Sequence, residues 1–191
     1  HESREGTLSQ LVERSGATVV HPYNDERIIA GQGTAAWELL TAHPDLDAIV
    51  APVSGGGLLS GTLLAAQGKN PKIRVYGAEP LEADDTIRSL EAGRIVPNLS
   101  VDTIADGLRA QIGPLTFPII QQHVTKVLPI TEDEIIAAMR LLWERLKIIV
   151  EPSGAVPLAA VLKRPEIFCN QKTGLILSGG NTDLDSLPWS R

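Results

Sequence analysis

One cysteine, Cys169, stands in 191 residues, so an internal disulfide is impossible and a thiolate metal site is not expected. A lone thiol of this kind reads as a small core or surface side chain, and low cysteine use fits a reducing, cytoplasmic location. Basic residues are outnumbered, 17 Lys and Arg against 23 Asp and Glu, and they form no cluster. The net charge of -6 therefore argues against nucleic acid as a main partner. Apolar runs fall well short of the roughly 20 residues that span a bilayer, so no membrane association is expected. The opening residues His1-Glu2-Ser3-Arg4-Glu5 lack the pattern of a signal peptide and read like the middle of a domain, which predicts a fragment of a longer chain. Internal repeats and low-complexity tracts are likewise missing.

What is present is 43% hydrophobic side chains, enough for one substantial core with part of a second lobe attached. Leu8, Leu11 and Val12 predict a helix that stops at Gly16, and Ala17-Thr18-Val19-Val20 predicts a short strand. His21 to Asp25 predicts a turn, Ile28 to Ala42 a helix, and Asp47 to Val53 a buried strand. A helix from about Leu58 to Gln67 and a strand over Ile73 to Ala78 follow. Further helices are expected around Asp85 to Leu90 and Leu115 to Gln122, with a strand near Val124 to Leu128. Thr131-Glu132-Asp133-Glu134 is a capping box, and Ile135, Met139, Leu142 and Leu146 form one apolar face behind it. Glu151-Pro152 opens a helix to about Leu162, and Gly174 to Leu177 is a buried strand. Strands and helices in this alternation define an α/β fold with a parallel sheet, whose ligands sit beyond the carboxyl ends of the strands.

Two loops carry the chemistry. An apolar strand ends in Ser54-Gly55-Gly56-Gly57-Leu58 and runs into a helix, a junction whose free N–H groups suit a phosphate. On its own it fits a nucleotide, a dinucleotide or pyridoxal phosphate. Gly55, Gly57 and Gly61 nearly spell the dinucleotide fingerprint, with Glu79 placed like a ribose-binding acid, but Ser60 occupies the third glycine's position. The second loop, Ser178-Gly179-Gly180-Asn181, also follows a buried strand. Two such loops on one sheet edge point to one ligand with two polar ends, a phosphate at the first and a heteroaromatic nitrogen facing the Ser178 hydroxyl at the second.

Ser3-Arg4-Glu5, Ala30-Gly31-Gln32-Gly33-Thr34, Pro52 to Leu58, Ala78-Glu79-Pro80, Ile104 to Gly107, Thr131 to Glu134, Glu151-Pro152 and Leu177 to Asn181 span nearly the whole sequence. In these segments the chain resembles the serine/threonine dehydratases and serine racemases, pyridoxal-phosphate enzymes of fold type II. The resemblance implies the C-terminal portion of such an enzyme: residues 1–24 end the small domain and 25–191 form the large, parallel-sheet, cofactor-binding domain. It implies that Ser54, Gly55, Gly56, Gly57 and Leu58 cradle the phosphate of pyridoxal 5'-phosphate, with Ser54 replacing the commonest first glycine. Ser178 would face the pyridine nitrogen, Gly107 would lie beside the ring, and Tyr23 would lie near it. Without the resemblance, Tyr23 reads as a turn aromatic on a domain seam. Glu79, Ala83 and Asp85 match a divalent-cation site for Mg²⁺, Mn²⁺ or Ca²⁺; otherwise the acids are a helix start. Arg4 resembles an arginine that binds the substrate carboxylate, and otherwise reads as an ion pair with Glu5. Lys147 matches a nucleotide-contacting lysine of the animal serine racemases.

The lysine that carries the cofactor in this family lies in a Ser-x-Lys-x-Arg-Gly context, which none of Lys69, Lys72, Lys126, Lys147, Lys163 or Lys172 has. The substrate-gripping asparagine loop is not found either. The expectation is therefore a fragment that is inactive alone, from a dehydratase that turns serine- or threonine-type β-hydroxy amino acids into a 2-oxo acid and ammonia. A racemase is the alternative, disfavoured because Leu108-Arg109-Ala110-Gln111 holds no serine. A noncatalytic fragment and a nicotinamide-binding domain are further alternatives. Expected partners are a small amino-acid substrate, a second copy in the full-length homodimer, and the N-terminal segment as a separate chain.

Overall fold

The computed structural model describes residues 2–189, without the side chains of residues 2–5. Four parallel strands form one sheet: β1 (Ala48–Pro52), β2 (Arg74–Pro80), β3 (Lys126–Ile130) and β4 (Thr173–Leu175), in spatial order β3-β2-β1-β4. Val50 sits opposite Tyr76 on one side and Leu175 on the other. Both faces of β1 are covered, which is why Ala48-Ile49-Val50-Ala51-Pro52 is a continuous apolar run.

Alternate residues of that run feed two cores. Ile49, Ala51 and Val53 pack with Ala36 and Leu40 of α2 (Glu26–Ala42), Leu59 and Leu63 of α3 (Gly57–Lys69), and Phe117 and Ile120 of α5 (Thr116–His123). Ala48 and Val50 face Ile135, Met139 and Leu142 of α6 (Glu132–Leu146) and Val156, Ala159 and Ala160 of α7 (Pro152–Lys163). The chain runs outward from β1 through β2 to β3 with α3 and α5 on one face. It then returns through α6 and α7 on the other face to place β4 on β1's free side. The carboxyl ends of β1 and β4 thus form a topological switch point, the crevice where open α/β sheets take their ligands.

Local chemistry accounts for the boundaries. Asp25 caps α2 through the Arg27 amide at 2.9 Å, and the Arg27 guanidinium and amide hold its carboxyl down at about 2. The Glu134 carboxylate accepts the Thr131 N–H at 3.0 Å to complete the capping box of α6. Lys163, at the end of α7, pairs with Glu134 at 2.8 Å. Between β2 and β3 lies α4 (Asp85–Ala92), preceded by a single 3₁₀ turn, Leu81–Ala83.

Two features differ from expectation. Ala17 to Val20 is not a strand: it pairs with no neighbour among the described residues, and Val19 and Val20 are exposed. β-branched residues favour extended backbone, but without a partner strand there is no ladder to join. Together with the exposed side chains of α1 (Glu2–Ser15) from Gly6 onward, Val12 half-buried, this arm lies outside both cores. A short helix the sequence pattern did not reveal, α8 (Pro165–Phe168), starts at a proline and is pinned where Phe168 meets Tyr76 edge-on at 5.1 Å. Among the described residues no helix is long and apolar enough to cross a membrane, and Cys169 is exposed.

Candidate functional site: two loops at the switch point

Beyond Pro52 the chain stays with the sheet for one more bond, Val53 N–H to the Ala78 carbonyl at 2.9 Å, and then turns away as Ser54-Gly55-Gly56. Gly56 adopts φ +88, and a Cβ there would meet Ile112 and Thr116 at 2.6 to 2.8 Å, so only glycine fits without strain. The loop is held from the segment 110–116. Ser54 Oγ accepts the Ala110 N–H at 3.1 Å, and the Gly55 carbonyl accepts the Gly113 N–H at 3.2 Å and the Thr116 hydroxyl at 2.7 Å. Those bonds use the loop's oxygens. Among the described residues the N–H groups of Gly55 and Gly56 have no protein acceptor, and the first turn of α3 adds unpaired N–H groups beside them. Backbone donors gathered before a helix form a cradle for an anion, which is the fit a cofactor phosphate requires.

Tyr23 lies directly on this loop. Its ring atoms stand 2.3 to 2.4 Å from where a Cβ on Gly55 would be. The turn carrying it is fastened twice: His21 Nδ1 accepts the Asn24 N–H at 3.0 Å, and Asn24 Oδ1 accepts the Leu115 N–H at 2.8 Å.

The second loop leaves β4 beside the first. Ile176 N–H donates to the Val50 carbonyl at 3.0 Å, carrying the pairing past Leu175 until Ser178 emerges, exposed. Adjacent strands are about 4.8 Å apart, so Ser54-Gly55-Gly56-Gly57-Leu58 and Ser178 rise from neighbouring positions on one rim. Gly107 joins from a third direction, its N–H donating to Ser153 Oγ at 3.0 Å at the start of α7. Glu151, the residue before that helix, donates its N–H to the Gly179 carbonyl at 3.1 Å and accepts the Asn181 N–H on Oε2 at 2.9 Å.

Glu79 near the end of β2, Ala83 in the 3₁₀ turn and Asp85 at the start of α4 are each at most 2% exposed. Glu79 accepts the Ile87 N–H at 2.9 Å, and Asp85 Oδ2 accepts the Ile112 N–H at 2.7 Å. Burial pushes Glu79 up to about 8 and also raises Asp85, each carboxylate costing more to ionise inside the fold. Arg88, one turn on, pairs with Asp84 at 2.7 Å instead. Two buried acids close enough for the charge on Asp85 to raise Glu79 are oxygen donors of the kind a divalent cation takes. No group of three or more His, Cys, Asp or Glu side chains converges among the described residues. Ile112 links this pair to the glycine loop through Gly113.

The Arg4 side chain lies outside the described residues. Lys69 ends α3, Lys72 precedes β2, Lys126 begins β3 and Lys172 precedes β4, all on the amino-terminal side of the sheet, away from the loops. Lys147 closes α6 in a left-handed conformation, exposed, two residues before Ile149, whose carbonyl lies against Gly180. Reading the sequence missed Thr116, Asn24 and Ser153 as loop supports, and took Glu151 as a helix start and part of a matching segment but not as a support.

A parallel α/β sheet with two glycine-rich loops at its switch point is the class of fold that takes ligands at the carboxyl ends of its strands. The chain belongs to the pyridoxal-phosphate dependent enzyme family, whose profile matches residues 1–179. It is 47% identical over 188 residues to the beta-hydroxyaspartate dehydratase of Paracoccus denitrificans, covering 98% of this chain and 60% of that protein. It is 50% identical over 190 residues to the serine racemase of Dictyostelium discoideum, covering 97% and 59%. The crystal structure of that racemase superimposes with a TM-score of 0.89 over 96% of this chain and 60% of the other, at 51% identity. The T.th. threonine deaminase superimposes with a TM-score of 0.86 over 91% and 65%, at 45% identity. The chain thus spans about 60% of the length of the curated relatives it matches. These relatives place it among the serine/threonine-type dehydratases and racemases, and the dinucleotide-binding alternative falls away.

Proposed function

We propose that this chain is the cofactor-binding part of a pyridoxal-phosphate dependent dehydratase acting on a serine- or threonine-type β-hydroxy amino acid. The observation that carries the reading is the pair of loops, Ser54 to Leu58 and Ser178 to Asn181, on adjacent strands β1 and β4 at one rim. The N–H groups of Gly55 and Gly56 and the start of α3 bind the phosphate, while Ser178 meets the ring nitrogen, with Gly107 and Tyr23 flanking the ring. Bound pyridoxal phosphate supplies an electron sink for the substrate's α-carbon. A neutral serine hydroxyl does not hold the ring nitrogen protonated as a carboxylate would. Ser178 would thereby leave a weaker electron sink, suited to loss of a β-hydroxyl. Arg4 binds the substrate carboxylate, and residues 1–24 belong to the edge of a second lobe.

A divalent cation on Glu79, the Ala83 carbonyl and Asp85 neutralises the two buried acids and steadies Ile112, hence the segment that grips the glycine loop. The complete protein is a cytoplasmic homodimer in this reading. No lysine here has the context needed to carry the cofactor, and four of them sit at the far edge of the sheet. This polypeptide is therefore inactive alone. A serine racemase is the second reading, favoured by the 50% identity to the Dictyostelium racemase.

Borohydride reduction after mixing with pyridoxal phosphate, followed by peptide mapping, tests the first half of the proposal: no single lysine should be labelled, and serine and threonine should not turn over. One specific adduct with turnover would overturn the fragment reading. In the complete protein, 2-oxo acid release in excess of inverted amino acid supports the dehydratase, and the reverse supports the racemase.

A further inference from the structure

Glu151 occupies a place that no catalytic role yet accounts for. Its carboxylate sits where Gly179 leaves room: a Cβ on Gly179 would stand 2.6 Å from Oε1. Oε2 accepts the Asn181 N–H at 2.9 Å, and the Glu151 N–H donates to the Gly179 carbonyl at 3.1 Å. The loop after Ser178 is therefore held by one residue at two points of its backbone, through the Glu151 N–H at Gly179 and the Glu151 carboxylate at Asn181. Behind it, a Cβ on Gly154 would meet the Gly179 carbonyl at 2.9 Å, so the start of α7 backs directly onto the loop. Two residues along, Ser153 Oγ accepts the Gly107 N–H at 3.0 Å, tying the turn expected beside the ring to the same helix start. Among the described residues the hydrogen bonds that hold the other loop come from Ala110, Gly113 and Thr116, not from Glu151.

We infer that Glu151 is a positioning residue which fixes the Ser178 end of the site independently of the phosphate end. Pro152 at the first helical position removes an N–H that would compete for the carboxylate and fixes the backbone leading out of Glu151. A loop rich in glycine is otherwise free to move, and a hydroxyl must be held within tenths of an ångström to meet a ring nitrogen. The inference rests on the pyridoxal-phosphate reading, and it divides that reading into two separately supported grips.

The test uses this 191-residue chain with two probes: inorganic phosphate, which needs only the glycine cradle, and pyridoxamine 5'-phosphate, which also needs the Ser178 loop and forms no covalent bond. Affinities come from fluorescence and from amide chemical shifts of Gly55, Gly56 and Ser178 to Asn181. Glu151→Ala should weaken pyridoxamine phosphate about tenfold, the scale of one charge-assisted hydrogen bond, and leave inorganic phosphate unchanged. Glu151→Gln keeps an acceptor for Asn181 and should recover most of the loss. Gly179→Ala drives a methyl into the carboxylate's place, and its selective loss decides the matter should Glu151→Ala fail to fold. Equal affinities in wild type and variants overturn the inference and leave the cofactor reading standing, as does parallel loss of both probes, which would make Glu151 a general stabiliser. Wild-type protein that binds neither probe overturns the cofactor reading, and the inference with it.

Discussion

Thr116 donates its hydroxyl to the carbonyl of Gly55 at 2.7 Å, joining the start of α5 to the glycine loop across 61 positions of sequence. The same oxygen accepts the Gly113 N–H at 3.0 Å, so one fully buried hydroxyl sets both the loop and the segment that supports it. Thr116→Val keeps the shape and removes the polar atom. It should cost about 1 to 2 kcal/mol: the Gly55 carbonyl and the Gly113 N–H keep their mutual bond at 3.2 Å but lose the stronger hydroxyl contacts. Urea unfolding reads the stability, and inorganic phosphate binding should weaken in the folded variant.

Gly56 makes a sharper demand. With φ +88 and Ile112 and Thr116 within 2.8 Å of a Cβ, Gly56→Ala faces both strain and overlap. A loss of about 2 to 4 kcal/mol is expected, the sum of an unfavourable backbone and an overpacked contact. Gly93→Ala, also at positive φ but with open space around it, should cost less, and thermal melts of the two compare them directly.

The divalent-cation assignment predicts a thermal shift. Saturating Mg²⁺, Mn²⁺ or Ca²⁺ at about a hundred times its dissociation constant adds roughly 2.7 kcal/mol to the folded state. In a chain of this size that corresponds to a melting temperature about 5 to 10 °C higher. Glu79→Gln with Asp85→Asn should remove the shift. An identical rise in that double variant would refute the site.

Asp25 supplies the pH dependence of α2. Its carboxyl is held at about 2 by Arg27, below the ordinary value near 3.9. A depressed folded-state pKa stabilises above the unfolded value and is lost as pH falls through the folded one. The cap is intact above about pH 4 and disappears on descending to about pH 2. Asp25→Ala should therefore melt below wild type at pH 7, and the two melting curves should converge in acid.

Much of this fold was legible in the sequence because its strands are buried on both faces. β1 reads as an uninterrupted apolar run, the capping box marks the start of α6, and the two serine-glycine loops stand at strand ends where glycine has few other uses. Ala17 to Val20 misled because β-branched composition reports what a residue tolerates, not whether a neighbouring strand exists. Thr116, Asn24 and Glu151 were silent as loop supports for a different reason. Each acts on backbone far away in sequence, 61, 91 and 30 positions respectively, and a threonine, an asparagine or a carboxylate before a proline has an ordinary local explanation. The site's strands could be found by pattern; its fastenings required the fold.

The sheet order has a consequence for biosynthesis. β1 delivers the glycine loop first among the described strands, whereas β4, its immediate neighbour, follows only after β2, β3 and the helices that accompany them. A growing chain on the ribosome therefore exposes the cradle, with β2 and β3 already able to dock, long before the opposing grip exists. If the two loops grip one cofactor as proposed, its tight capture waits during synthesis until the fourth strand slots in beside the first.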